Sequence, residues 1–317
     1  MGFRISGTGS ALPKKVLTND DLSNMVETSD EWIRTRVGVA SRHVATDETT
    51  ASLATEAARK ALEQSGVTPE QLDLIVVATI TPDAVCPTAA GTVQQNLGAV
   101  CPAFDISSAC SGFLFALETA DGFFAAGKVK KALVIGAERI SSILDWEDRS
   151  TCVIFGDGAG AAVLEEGDGY LCSELHTAGG DSVIKIPAHI GTSPFSTRPE
   201  EKPVIFMEGQ ETFKFAVNAL TEHVNSMCGK LGITPADLQH IVPHQANMRI
   251  IQMAARKLKL PLEMFVTDIE TTGNTAAASV PIALDDLNRS GKLKKGDLVA
   301  MTAFGGGLSS GGCILRW

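Results

Sequence analysis

Val67-Thr68-Pro69-Glu70-Gln71-Leu72-Asp73-Leu74-Ile75-Val76 returns 166 residues later (234 − 68) as Ile233-Thr234-Pro235-Ala236-Asp237-Leu238-Gln239-His240-Ile241-Val242. Each copy reads as a helix end, a proline turn and a buried strand. A second echo pairs Gly127-Lys128-Val129-Lys130-Lys131 and the strand at 132–135 with Gly291-Lys292-Leu293-Lys294-Lys295 and the strand at 298–301, at an offset of 164 (291 − 127). A third pairs Phe155-Gly156-Asp157-Gly158 with Phe304-Gly305-Gly306-Gly307, each a turn between apolar strands. The units occur in the same order, so the chain is a duplication. Its period is too long for a solenoid.

Each half alternates helical patterns with short β-branched strands, for example residues 51–64 before 74–79, which predicts a layered α/β unit. Two such units packed together give five layers, αβαβα. The boundary falls between residues 165 and 175, so the expected halves are residues 1–170 and 171–317. Residues 179–203, rich in Gly, Ser and Pro, read as an inserted loop region.

With 44% hydrophobic and 20% charged residues in 317, the composition is that of a folded chain with a substantial core. The net charge of −10 disfavours a general nucleic-acid surface. No apolar stretch approaches the roughly 20 residues of a membrane span. The opening Gly2-Phe3-Arg4-Ile5-Ser6 reads as a first strand rather than a secretory signal. The seven cysteines are an odd number without metal-type spacing, which predicts a reducing, cytoplasmic setting.

Candidate chemistry gathers at strand-to-helix junctions. Asp105-Ile106-Ser107-Ser108-Ala109-Cys110-Ser111-Gly112 ends one strand and opens a helix apolar enough to be buried all round. Its N-terminus is expected to lower the pKa of Cys110, the candidate nucleophile; the other six cysteines read as small buried hydrophobes. Applying the offset of 164 places Cys110 on Asn274 (110 + 164), in Thr271-Thr272-Gly273-Asn274-Thr275-Ala276. Equivalent junctions of a duplication face each other near the pseudo-two-fold axis, where a carboxamide can donate to a developing oxyanion; an ordinary helix N-cap is the competing reading. In Val242-Pro243-His244-Gln245-Ala246-Asn247 a buried strand ends in a histidine. Of the six histidines, His43, His176, His189, His223, His240 and His244, only His244 has a strand end beside another candidate site.

Ser107-Ser108-Ala109-Cys110-Ser111-Gly112, Pro243-His244-Gln245-Ala246-Asn247, Gly273-Asn274-Thr275-Ala276-Ala277 and Phe304-Gly305-Gly306-Gly307, in this order and a chain of this length, resemble the β-ketoacyl-acyl carrier protein synthase III family of the thiolase superfamily. The resemblance implies a thiolase-like fold and a Cys110-His244-Asn274 triad, with no cofactor or metal. It implies that Cys110 takes an acyl group from an acyl-coenzyme A primer. His244 and Asn274 then stabilise the enolate formed as malonyl-acyl carrier protein loses carbon dioxide, in the reaction that initiates fatty acid synthesis. The backbone N–H groups of Cys110 and Gly306 would form the oxyanion hole.

Further positions follow from the same resemblance. Trp32 and Arg149 match an indole and a guanidinium that sandwich the adenine of coenzyme A, and Thr28, Arg36, Gly209, Phe213 and Asn247 match positions lining the pantetheine tunnel. Lys214, Arg249, Arg256 and Lys257 are the expected dock for the acidic carrier protein. Cys86 occupies a position where many relatives carry a phenylalanine reaching the partner subunit's acyl pocket; the smaller side chain predicts tolerance of primers beyond acetyl. A homodimer pairing through residues 102–107 is expected. A relative serving polyketide or alkylquinolone synthesis, and a non-catalytic acyl-binding protein, are the competing functions.

Overall fold

The computed structural model describes residues 2–188, 193–197, 199 and 201–317; His189 and part of the expected loop at 179–203 lie outside the described residues. The repeated stretch that opened the analysis has one local cause in both copies. Thr68 and Thr234 each begin a single 3-10 turn with proline in its first position. Their backbone N–H groups donate to the side chains three residues on, Gln71 at 3.1 Å and Asp237 at 2.8 Å. This is a capping box that stops the chain and aims it into a strand.

Among the described residues, β1 (Gly2–Ala11), β2 (Leu74–Ala78), β3 (Ala103–Ile106), β4 (Lys131–Arg139) and β5 (Asp157–Gly167) form the first sheet, in the order β1-β5-β4-β2-β3. The strands β6 (Tyr170–Thr177), β7 (His240–Pro243), β8 (Leu298–Gly305) and β9 (Ser309–Arg316) form the second, in the order β6-β9-β8-β7. The two orders correspond strand for strand. In each, the first and second strands are antiparallel, the second and third antiparallel, and the third and fourth parallel. An isolated parallel bridge between Ile241 and Phe265 stands where a counterpart of β3 would be.

Side-chain alternation builds the layers. Leu74, Val76 and Ala78 face a core shared with Phe113, Leu114 and Leu117 and with Val242, Val299 and Met301 of the second sheet. Ile75 and Val77 face the opposite way, onto α1 (Thr50–Ser65). Two central helices, α2 (Gly112–Ala125) and, later in the chain, residues Ser279–Arg289, therefore lie between the sheets. The outer face of the second sheet packs through Ile241, Ala300 and Ile314 on α3 (Gly209–Lys230) and α4 (Met248–Leu258). The helix Ser279–Arg289 is α5. Helix, sheet, helix, sheet, helix is the expected thiolase-like five-layered arrangement. Each of the large side chains in the central layer contributes roughly 1.5–3 kcal/mol on burial. The centre of α2 is buried as expected, but Ala125 and Ala126 at its end are exposed.

Superposing the halves by backbone conformation corrects one alignment. Each junction is a 3-10 turn leading into a central helix, Ala109–Ser111 and Ala276–Ala278. Each starts with an alanine in the left-handed region, Ala109 at φ 45° and Ala276 at φ 46°. The offset here is 167 (276 − 109), so the counterpart of Cys110 is Ala277, not Asn274. The helices absorb the difference: α2 has 14 residues and α5 has 11, which restores the offset of 164 at Gly127 and Gly291.

Candidate functional site

Cys110, His244 and Asn274 line one cavity of about 190 Å³, together with Gly209, Phe213, Asn247 and Gly306. Asn274 comes near the nucleophile although it is not its repeat counterpart, because it lies three residues ahead of Ala277 in the facing junction. Apart from Ser150 and Thr212, the rest of the wall is apolar, built chiefly from Ile80, Ile140, Ile154, Phe155, Ile205 and Met207.

Asn274 is 5% exposed and pinned at every backbone group. Its N–H donates to the Ile154 carbonyl at 2.9 Å, and its own carbonyl accepts from the Gly156 N–H at 3.0 Å. The side-chain Oδ1 accepts from the Ala276 N–H at 2.9 Å, which leaves the Nδ2 donor for the cavity. Gly273 precedes it at φ 66°, and a Cβ there would stand 2.9 Å from the Ile154 carbonyl.

His244 leaves β7 with its N–H bonded to the Thr302 carbonyl of β8 at 2.8 Å. Its ring meets the edge of Phe304 at 5.1 Å between centroids, and its Nδ1 lies 2.5 Å from the Ser279 hydroxyl at the start of α5. Burial pushes the imidazole down to about 3, so the ring is neutral at physiological pH.

The expected lowering of the Cys110 pKa is corrected. Burial pushes the thiol up to about 12, and the nearby Glu138 carboxylate adds to the rise. Cys110 sits inside the short 3-10 turn that precedes α2, and removal of the sulfur from water outweighs what the helix terminus supplies. Cys110 is a protonated thiol at rest. Of the other cysteines, Cys101, Cys152, Cys228 and Cys313 are buried as expected, whereas Cys172 is partly exposed and Cys86 exposed.

The glycine run makes its closest approach at Gly305, where a Cβ would stand 2.7 Å from the Cys110 backbone nitrogen. At Gly306 the nearest atom to such a Cβ is Ile184 Cγ2, at 3.3 Å. Next to Cys110 in the chain, the Ser111 hydroxyl meets that of Ser309 at 2.8 Å and ties the two halves together there.

Thr28, Trp32, Arg36 and Arg149 do not line the cavity. Of these, Arg36 is linked to the cavity by the Asn247 side chain, which donates to the Arg36 carbonyl at 3.1 Å. The Arg149 guanidinium carbon is 5.7 Å from the centroid of the Trp32 ring. A base between them needs about 7 Å, two van der Waals contacts, so Arg149 must move outward to admit one. Cys86 does not line the cavity of this chain either. On the outer helices, Arg249, Arg256, Lys214 and Lys257 are all exposed. Lys214 is paired with Glu211 at 2.7 Å, and Lys257 donates to Asn218 at 2.8 Å.

Three residues around the site were not anticipated. Ser279 reads in sequence as one more small residue opening a helix. Glu138 is wholly buried, receives hydrogen bonds from Thr79, Thr81 and the Ile80 N–H, and is pushed up to about 8 by burial. Arg42 is also wholly buried, pulled down to about 10, and its guanidinium donates to the Leu17 and Val153 carbonyls. For Glu138 the one signal was a carboxylate in a mainly apolar strand; Arg42, in the polar strand Ser41–Val44, carried none.

The doubled five-layer architecture is that of the thiolase-fold condensing enzymes. Residues 104–179 match the family described as 3-oxoacyl-acyl carrier protein synthase III, and residues 228–317 match its C-terminal region. A β-ketoacyl-acyl carrier protein synthase III of Xanthomonas campestris is 48% identical over 99% of this chain and 98% of its own. One from Thioalkalivibrio sulfidiphilus is 49% identical over 99% of each chain. The crystal structure of the synthase III from Aquifex aeolicus superposes with a TM-score of 0.94, at 45% identity and complete coverage of both chains. This chain belongs to the β-ketoacyl-acyl carrier protein synthase III family. The priming β-ketosynthase of the R1128 polyketide pathway is also similar, with a TM-score of 0.92 at 36% identity, covering 99% of this chain and 96% of that one.

Proposed function

We propose that this chain is an acyltransferase that condenses an acyl-coenzyme A primer with malonyl-acyl carrier protein, giving β-ketoacyl-acyl carrier protein, coenzyme A and carbon dioxide at the start of fatty acid synthesis. The observation that carries the reading is the opening of Cys110, His244 and Asn274 onto one cavity in a chain of this family.

Cys110 Sγ attacks the thioester carbon of the primer. The thiol proton passes to the departing sulfur, so free coenzyme A leaves and an acyl thioester remains on Cys110. The Cys110 and Gly306 N–H groups receive the oxyanion. In the second half-reaction the malonyl thioester carbonyl accepts from Asn274 Nδ2 and His244, the carboxylate leaves as carbon dioxide, and the enolate carbon attacks the acyl group. The Cys110 thiolate is expelled and takes a proton from solvent. The apolar wall at Ile80, Ile140, Phe155 and Met207 suits an acyl chain.

In this reading the halves divide the labour, residues 1–170 carrying the nucleophile and residues 171–317 the two enolate-stabilising groups. Trp32 and Arg149 hold the adenine of coenzyme A once Arg149 swings out, with Thr28 and Arg36 beside them and Gly209, Phe213 and Asn247 along the tunnel. The acidic carrier protein docks on Arg249, Arg256, Lys257 and Lys214. Two chains pair through β3, whose outer edge is open and which is flanked by the exposed Val100. Each partner's Cys86 then lies near the other's acyl pocket and leaves room for primers longer than acetyl. All seven cysteines are free, which supports a cytoplasmic enzyme.

Mass spectrometry after exposure to acyl-coenzyme A tests the whole. A covalent acyl adduct on Cys110 is expected, and its absence with every primer leaves only a binding protein. Arg249→Glu should slow use of malonyl-acyl carrier protein about 10-fold or more while sparing adduct formation. A preference for malonyl-coenzyme A as second substrate would transfer the protein to a specialised pathway.

A further inference from the structure

His244 is 1% exposed, and its Nδ1 faces a hydroxyl rather than a carboxylate. That hydroxyl has two partners among the described residues. The Gln245 backbone N–H donates to Ser279 Oγ at 3.4 Å, occupying a lone pair. Among the described residues, the only acceptor in hydrogen-bond contact with the Ser279 hydroxyl hydrogen is His244 Nδ1, at 2.5 Å. If Nδ1 carried the ring proton, Ser279 would accept twice and its own hydrogen would be left buried without a partner, which is the less stable arrangement.

We propose that Ser279 is a positioning residue that fixes the tautomer of His244: it donates to Nδ1, and the single ring proton resides on Nε2, which faces the cavity. A carboxylate in the place of Ser279 would do the opposite, holding the proton on Nδ1 and supporting a charged ring. With the ring kept neutral by burial, the hydroxyl makes Nε2 a donor. Asn274 is fixed by the same logic, its Oδ1 held by the Ala276 N–H so that Nδ2 points outward. Two hydrogen-bond donors, each oriented by a partner behind it, thus line the same cavity. Resting on the condensation proposed above, the inference assigns His244 to the enolate half-reaction and not to deprotonation of Cys110.

The direct test is 15N NMR of protein labelled at histidine, with the His244 signals identified by their loss in His244→Gln. At pH 7 the wild-type ring should show a protonated Nε2 and a bare Nδ1, and Ser279→Asp should reverse the pattern. A wild-type ring protonated on Nδ1 overturns the proposal. The kinetic test separates the half-reactions. Ser279→Ala should lower decarboxylative condensation about 10- to 100-fold, less than loss of a full oxyanion donor, while changing acyl-enzyme formation less than about 3-fold. Ser279→Thr, which keeps the hydroxyl, should recover most of the rate. Equal losses in both half-reactions, with no recovery in Ser279→Thr, would reduce Ser279 to a packing residue. The tautomer is read whether or not the chain turns over, so a protein inert toward every acyl-coenzyme A would defeat the proposed function without touching the NMR result. An active enzyme with the proton on Nδ1 would defeat this inference alone.

Discussion

The two strand-to-helix junctions share a backbone and differ in chemistry. Ala109 and Ala276 adopt the same left-handed conformation, and each begins a 3-10 turn that opens a central helix. Cys110 then opens on the cavity, whereas its counterpart Ala277 is 1% exposed and off the cavity wall. One residue pair makes the contrast sharpest. The counterpart of Ser279 is Gly112 (279 − 167), and the counterpart of His244 is Ala78 (244 − 166). In the first half this pair is plain packing: a Cβ on Gly112 would be 3.0 Å from the Ala78 methyl. In the second half it is an imidazole on a hydroxyl. Duplication supplied one scaffold twice, and in the proposed function substitution at a few equivalent points makes one copy the source of the nucleophile and the other the source of the hydrogen-bond donors.

Making the junctions alike should have the largest effect. Cys110→Ala reproduces Ala277, and condensation should fall about 1,000-fold or more, with no acyl adduct by mass spectrometry. Adding Ala277→Cys should restore nothing, because that position is sealed; an adduct at residue 277 would break the comparison. Next, Asn274→Ala should slow the decarboxylative step about 100- to 1,000-fold in single-turnover measurements with acyl-enzyme formation intact. A smaller effect comes from two glycines on which the opposite junctions rest. A Cβ on Gly305 would meet the Cys110 nitrogen at 2.7 Å, and one on Gly136 would meet the Ala277 carbonyl at 2.2 Å. Both alanine variants should lose about 1–3 kcal/mol in denaturant unfolding, but in the protein that remains folded only Gly305→Ala should lower the acylation rate.

The smallest effect is in the pH dependence of stability. Native His244 stays neutral down to about pH 3, while in the unfolded chain the ring binds a proton below about pH 6.5. Its contribution is therefore neutral above pH 6.5 and becomes destabilising as pH falls toward 3, approaching about 1.4 kcal/mol per pH unit. Ala78, its counterpart, has no such term. Urea midpoints at pH 7.5 and pH 5 should differ less in His244→Gln than in the parent chain, and an unchanged difference would show that the ring titrates normally.

The duplication was legible because the capping boxes at Thr68 and Thr234 and the Lys-rich turns are local, short-range signals. The five layers followed from them, since the unbroken apolar run from Leu74 to Ala78 requires a core on both faces of the sheet. The meeting of Cys110, His244 and Asn274 at one cavity was legible through their motifs, yet the alignment that brought Asn274 to Cys110 carried an error of three residues. A length change inside a helix leaves no mark in the turns on either side. The Cys110 pKa was misjudged because a sequence reveals a helix terminus but not the desolvation opposing it. Ser279, Arg42 and Glu138 were invisible for a related reason: their partners, His244, the Val153 carbonyl and Thr81, are set by tertiary contact.

The unequal central helices have a consequence for tinkering with this fold. Three residues amount to about 4.5 Å of helix and fall short of a full turn by about 60°, yet both copies keep the junction at one end and the glycine turn at the other. The far half of a central helix thus acts as slack, and insertions or deletions there are decoupled from the chemistry. That is where a designer could graft length into such an enzyme and leave its reactive groups in register.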